Sequence, residues 1–181
     1  MKMPKYYLIF ALQHLPYNFI SNGIRTNSVE KKERLLREAL YIKTTPKEHV
    51  EMYLKAIKLL NEAGEDPVRV VSLAKKLRVA PPSVVQMLSK LEHEGYVLYT
   101  RRSGVKLTGL GESIATRILR NARLLEVLME KHLGIVADER VVCGVEHHMT
   151  EELAEALCKF LNHPRKCPHG IDIPPGRCCR A

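Results

Sequence analysis

The stretch VRVVSLAKKLRVAPPSVVQMLSKLEHEG, residues 68–95, decides the fold, because its spacing describes two helices joined by a tight turn. Val68 to Leu77 forms the first helix, Arg78-Val79-Ala80 the turn, and Pro81-Pro82-Ser83 opens a second helix that runs to Glu94. Proline suits the first helical turn, where its missing N–H would have no partner, and Gly95 stops the helix by offering a left-handed conformation. The next runs, Tyr96–Thr100 and Val105–Thr108, are rich in β-formers and flank Arg101-Arg102-Ser103-Gly104, which predicts a hairpin with a basic tip. Helix, turn, helix and hairpin together make a winged helix-turn-helix.

Working upstream, Thr45-Pro46-Lys47-Glu48 has the form of a capping box and Gly64 ends the same segment, predicting a helix over 46–63. Its apolar stripe is Val50, Tyr53, Leu54, Ile57 and Leu60, with Met52, Ala56 and Leu59 nearly opposite, so Met52 faces something other than that core. Downstream, a long helix is expected from about Gly109 to Leu133, with Ile114, Ile118, Leu125 and Leu128 at helical spacing. A further helix begins near Asp138, and Thr150-Glu151-Glu152 marks a restart that carries Leu153, Leu157 and Phe160 inward. Pro164–Ala181 reads as irregular. The expected fold class is mainly α, an N-terminal winged helix-turn-helix followed by an α-helical metal-binding and dimerisation domain. The expected division is an extension of no assigned role (1–44), a winged-helix DNA-binding domain (45–108), a helical domain (109–163) and a Cys/Pro-rich tail (164–181).

Charge is distributed in a way that supports this division. Residues 1–45 carry 8 basic and 3 acidic side chains, residues 46–111 carry 11 and 7, and residues 112–181 carry 10 of each. The basic excess lies where a polyanion would be met. The five cysteines, at 143, 158, 167, 178 and 179, all fall in the balanced final third beside histidines, which favours metal binding over a disulfide frame. The apolar run Tyr6–Leu12 is too short to span a bilayer and lacks a small-residue cleavage site, so neither a membrane role nor export is expected and the location is cytoplasmic.

In a winged helix the second helix of the motif enters the major groove of double-stranded DNA. Ala80, Pro82, Ser83 and Gln86 are placed for base contacts, with Gln86 able to bond an adenine edge. Lys75, Lys76, Arg101, Arg102 and Lys106 are candidates for phosphate contacts. The competing reading is a winged helix used for protein contacts, since fold alone does not fix function. Further on, Cys143, Glu146 and His147 fall at i, i+3 and i+4 and share one helical face, so one divalent transition metal can take all three. The plainer alternative packs Cys143 in a core and leaves Glu146 and His147 in solvent.

Val50-Glu51-Met52-Tyr53-Leu54, Leu107-Thr108-x-x-Gly111, Arg123-Leu124-Leu125-Glu126 and Cys143-x-x-Glu146-His147 resemble, in order and spacing, the diphtheria-toxin-repressor and manganese-transport-regulator family over roughly residues 46–175. Within the family, the resemblance is to the iron-responsive branch, in a short form without the SH3-like domain. The resemblance implies a homodimeric repressor, not an enzyme, that binds a palindromic operator when loaded with metal and controls metal homeostasis genes. It also implies a regulatory metal site of Met52, Cys143, Glu146 and His147. Thioether and thiolate are soft ligands, so Fe(II) is favoured and Mn(II) is the second choice. Ala122 stands where many members have histidine, and no histidine lies just upstream of Cys143, whereas Glu126 remains. The family's ancillary metal site is therefore short of ligands.

Cys167, His169, Cys178 and Cys179 form a candidate second metal cluster for Zn(II) or iron. Cys158 is expected in a core, and His93, His132 and His163 at the surface. Two other function classes compete with the metal-activated repressor. One is a metal-independent winged-helix regulator that senses thiol redox state. The other is a small metalloenzyme at Glu146-His147-His148, for which the chain supplies no second catalytic shell.

Overall fold

The first described helix, α1 (Pro46–Glu62), seals its unit with Val50, Leu54 and Ile57, all buried. The computed structural model describes residues 46–179; the extension 1–44, the run Tyr6–Leu12 and the capping residue Thr45 lie outside the described residues. After α1 come α2 (Val70–Leu77) and α3 (Pro81–His93), then β1 (Val97–Thr100) and β2 (Gly104–Leu107). The long α4 (Gly109–Val127) runs into a π-helical turn at Leu128–His132. Next come α5 (Glu139–Glu146) and α6 (Glu151–Phe160), and a 3-10 turn at Arg177–Cys179 closes the described chain.

The helix-turn-helix forms as expected, with one correction at its start. Val68 is not helical: its N–H and C=O pair with Val105 at 3.0 and 2.9 Å, adding a one-residue third strand to the wing. That pairing uses Val68, fully buried, as a clamp between α1 and β2. Arg78 takes the left-handed conformation at φ 56° that the turn needs, and Val79 N–H returns to the carbonyl of Ala74. Val84, Leu88 and Leu91 of α3 face inward, joined by Val97 of β1 and Val105 of β2. The hairpin pairs Val97 with Leu107 and Thr100 with Gly104. Gly104 sits at φ 104°, and a side chain there would meet the Val68 carbonyl.

Thr108 joins wing to core. Its hydroxyl accepts from Gly111 N–H at 3.2 Å as the N-cap of α4 and donates to the Tyr96 carbonyl at 3.0 Å. Gly111 lies so close to the same Tyr96 carbonyl that a Cβ would fall well inside contact distance, so the spacing Thr-x-x-Gly is a packing requirement. Beyond it, α4 is enclosed on nearly every side: Ala115 belongs to the N-terminal core, while Leu124 and Val127 belong to a second core with Met149, Ala154, Cys158, Leu161, Cys167 and Ile173.

Asp138 and Thr150 cap α5 and α6, accepting from Arg140 and Leu153 N–H. On α6, however, Ala154 and Cys158 face inward while Leu153 and Phe160 are exposed, which corrects the inward assignment of those two. The reason is rotational: the i and i+4 pair Ala154 and Cys158 is small enough to lie flat against α4, and this turns the bulkier side chains out. The tail, irregular as expected, is held down by buried Cys167 and Ile173 and by Arg123, which donates to the Asp172 carbonyl at 2.7 Å.

Gly111→Ala should lower stability by about 1–3 kcal/mol, because the added methyl forces the wing and α4 apart at a packed junction. Thermal denaturation checks this, with an unchanged midpoint as the contrary result.

Candidate metal centre

Burial of Glu146 organises the site. It is 0% exposed at the end of α5, and Lys55 of α1 reaches across to bond both carboxylate oxygens at 2.6 and 2.7 Å. Its own carbonyl accepts from Asn121 of α4 at 3.0 Å. Burial still raises the Glu146 pKa against the pull of Lys55. Burial and the neighbouring Glu146 likewise raise the Cys143 thiol.

His147 follows directly and is also buried. Its Nε2 lies 3.4 Å from Glu146 Oε1 and 3.8 Å from Cys143 Sγ. The ligand atoms of Cys143, Glu146 and His147 fall within 4.8 Å of one another, so the solvated alternative does not hold for Glu146 or His147. The other ring nitrogen, Nδ1, is 2.9 Å from Glu51 Oε2, and a carboxylate acceptor places the proton on Nδ1 and leaves Nε2 free for a metal. Arg117 of α4 donates to the other Glu51 oxygen at 2.5 Å. Burial works against the charge on Glu51, but the bonds from His147 and Arg117 outweigh it and hold this carboxyl below the ordinary range. Glu51 was visible in the sequence only as part of a motif; its role as the partner of His147 comes from the helix crossing. A buried acid beside a metal-motif methionine was the available signal.

Met52, 37% exposed, lines a cavity of about 530 Å³ together with Cys143, Glu146 and Lys55. Three of the four residues assigned to the regulatory site, Met52, Cys143 and Glu146, thus border one space, and His147 adjoins it through its contacts with Glu146 and Cys143. His148 turns away, with Nε2 3.5 Å from Glu48, and is not part of the group.

The candidate C-terminal cluster is divided between two places. Cys167 and His169 gather with Glu126, whose Oε2 is 3.4 Å from His169 Nδ1, on the same cavity. Cys178 and Cys179 instead join Cys158 and His163. The sequence pattern grouped the four by proximity along the tail, but the buried Cys167 and the 3-10 turn send its two ends to different neighbours. His163, expected at the surface, is one of a set of potential ligands, and Cys158 is both core and part of that set.

On the helix-turn-helix and wing, the candidate DNA contacts Ala80, Pro82, Ser83 and Gln86 at the start of α3 are all exposed, as are Lys75, Lys76, Arg101, Arg102 and Lys106. Lys106 already pairs with Asp66 at 3.3 Å, an exposed contact that a phosphate can displace. Lys76 also borders the cavity.

Fold and site together define a winged helix joined to a helical domain that carries a candidate metal centre. Family models match in two blocks, the iron-dependent repressor N-terminal DNA-binding domain over residues 43–105 and the iron-dependent repressor metal-binding and dimerisation domain over residues 108–175. The chain belongs to the iron-dependent repressor family, a family of transcriptional repressors rather than enzymes. It is 34% identical to the iron-dependent repressor IdeR of Mycobacterium leprae over 68% of this chain and 54% of that protein. It is also 34% identical to the diphtheria toxin repressor of Corynebacterium diphtheriae, over 68% of this chain and 55% of the relative. The chain therefore spans about half the length of these relatives. Among solved structures, the manganese regulator SloR matches with TM-score 0.61 and 38% identity, covering 70% of this chain and 59% of that one. A hypothetical protein from Sulfolobus solfataricus is covered over its full length, 100%, by 72% of this chain, with TM-score 0.51 and 30% identity.

Lys55→Met should tighten divalent-metal binding by at least about tenfold, measured by competition with a chromogenic chelator. Unit charges about 4 Å apart interact by roughly 4 kcal/mol at an effective dielectric of 20, and a flexible ammonium can retreat from most of that. Equal or weaker affinity in the variant would show that Lys55 does not compete with the metal.

Proposed function

We propose that this protein is a metal-activated transcriptional repressor that acts in the cytoplasm as a homodimer on a palindromic DNA operator. One divalent metal is held by Met52, Cys143, Glu146 and His147. The observation that carries this reading is the convergence of Cys143, Glu146 and His147 on one another, with Met52 of α1 lining the same cavity as Cys143 and Glu146 and with Glu51 already orienting the imidazole. The membership of the chain in a repressor family supplies the context.

The mechanism follows from where the ligands sit. α1 packs its Leu54 face into the core of the winged helix, whereas α5 is anchored to α4 through Asn121. An ion shared by Met52 and the α5 residues ties these two elements together and restricts the orientation of α3. Two copies of α3 must reach major-groove faces about 34 Å apart on a palindrome, so fewer unbound orientations mean tighter binding. The effect is reciprocal, and DNA raises metal affinity by the same factor. Thiolate and thioether favour Fe(II) over Mn(II); bare affinity at this site would favour Zn(II), Co(II) or Ni(II) still more, so the supply of each metal decides among them.

The dimer surface we assign is the apolar face left open by the helical domain, where Val136, Val141, Leu153 and Phe160 are all more than half exposed. No helix among the described residues is long and apolar enough to cross a membrane. The domain division we assign is a winged helix over 45–108, a helical domain over 109–163 and the tail beyond it.

DNA binding should require metal. With a duplex selected anaerobically from a random library in Fe(II), His147→Ala should lose metal activation while its circular dichroism stays native. Equal affinity of the unmodified protein in chelator and in excess Fe(II) would remove the metal-activated reading.

Gln86→Ala should cost about 1–3 kcal/mol on that selected duplex and little on random DNA, because Gln86 reads a base edge. Lys75→Ala should weaken both alike, since a phosphate contact carries no sequence information. An unchanged ratio of specific to random affinity in Gln86→Ala would misplace the recognition helix.

A further inference from the structure

The end of α6 and the end of the tail bring Cys158, His163, Cys178 and Cys179 together, with their ligand atoms all within 4.8 Å of one another. The sulfurs of Cys158 and Cys179 are 3.6 Å apart, and those of Cys178 and Cys179 are 3.8 Å apart. His163 Nδ1 is 3.7 Å from Cys158 Sγ and 3.6 Å from Cys179 Sγ. A disulfide would require about 2.0 Å between sulfurs. A tetrahedral zinc ion, with Zn–S of about 2.3 Å and Zn–N of about 2.0–2.1 Å, requires S···S edges of about 3.8 Å and S···N edges of about 3.5 Å. The four measured separations lie close to those edges.

We propose that Cys158, His163, Cys178 and Cys179 bind a structural Zn(II) ion, separate from the regulatory metal, that staples the C-terminal tail to α6.

The backbone is shaped for this. Asn162 and His163 are consecutive non-glycine residues in the left-handed region, at φ 59° and 52°, and they fold the imidazole back over the last turn of α6. His163 N–H then bonds the Cys158 carbonyl at 2.9 Å. From the other side, the 3-10 turn Arg177–Cys179 presents two consecutive cysteines to the same point. Charge is matched as well. Three thiolates around Zn(II) leave one net negative charge, and Arg120, 7% exposed on α4, donates to Cys178 Sγ at 3.4 Å while its Nε has no partner. Gly176 makes room for that guanidinium, since a Cβ there would overlap it. Four N and S ligands that close the coordination sphere are those of a structural zinc site, with no position left open for substrate.

The staple has a consequence for the cavity described above. Cys167, His169 and Ile171, which line it, belong to the tail between the two zinc half-sites, so zinc at the far end fixes one wall of the regulatory site. Zinc binding at these four residues follows from their geometry alone and does not depend on the regulatory metal.

The test uses the full chain in a Cys143→Ser/His147→Ala background, which removes the regulatory ligands. After purification with zinc and reductant and dialysis against a mild chelator, elemental analysis should find one zinc per chain. Cobalt(II) in its place should give the intense visible bands of a tetrahedral site with a near-ultraviolet thiolate charge-transfer band sized for three sulfurs. Adding Cys178→Ser and Cys179→Ser should abolish both, and Cys167→Ser should leave both intact. His163→Ala should lose the metal and His163→Cys should restore it, which separates ligation from a fold that has failed. No retained zinc in the parent background, zinc that survives loss of Cys178 and Cys179, iron in place of zinc at equal stoichiometry, or two missing free thiols without metal would each overturn the proposal. DNA binding is not read in this test, so its failure leaves the regulatory assignment to stand or fall separately.

Discussion

A buried carboxylate must be neutralised or it will not stay charged, and Glu146 is the place where this protein meets that constraint. Lys55 supplies the counter-charge from α1, Asn121 ties the backbone of the same residue to α4, and His147 continues the network to Glu51 and Arg117. Three helices are therefore committed to one polar junction inside otherwise apolar surroundings. Such a junction biases the arrangement of α1 against α5, because sliding either helix parts these charged and hydrogen-bonded pairs. It is also a place where a divalent cation can take over the work of an ammonium. In the proposed function, that exchange is what would couple a metal to the orientation of the winged helix.

The long α4 makes the junction possible by being buried where a helix of its composition would usually meet water. Arg120, Asn121 and Arg123 are enclosed, and each points its polar end at a different client: Cys178, the Glu146 carbonyl, and Glu62 with the Asp172 carbonyl. The same helix thus holds α1, α5 and the tail in register. Val136, Val141, Leu153 and Phe160 are among the helical domain's large apolar side chains that remain exposed near α5 and α6.

Local chemistry made the winged helix legible from residues alone. Pro81 and Pro82 opening α3, Gly95 closing it and β-formers around Arg101-Arg102 depend on nearest neighbours, and each element formed close to its expected place. Val68 did not, because its pairing with Val105 is non-local and outweighs helix formation at a helix end, where the gain from one more turn is small. The i, i+3, i+4 spacing of Cys143, Glu146 and His147 was equally readable, since those ligands share one helix.

By itself, the sequence determined which of the described helices exist, which two of them form the helix-turn-helix, and which three residues at the end of α5 face the same way, all consequences of helical and strand period. Only the tertiary structure decided what those faces meet. Glu51 and Lys55 acquire their parts because α1 crosses α5, Leu153 and Phe160 face outward because Ala154 and Cys158 fit flat against α4, and the tail cysteines divide between Glu126 at one end and Cys158 with His163 at the other. The physical reason is range. Side-chain period is set by bonds a few residues long, whereas the partners of a buried charge or thiol are set by how whole helices pack, and one-dimensional spacing carries no record of that.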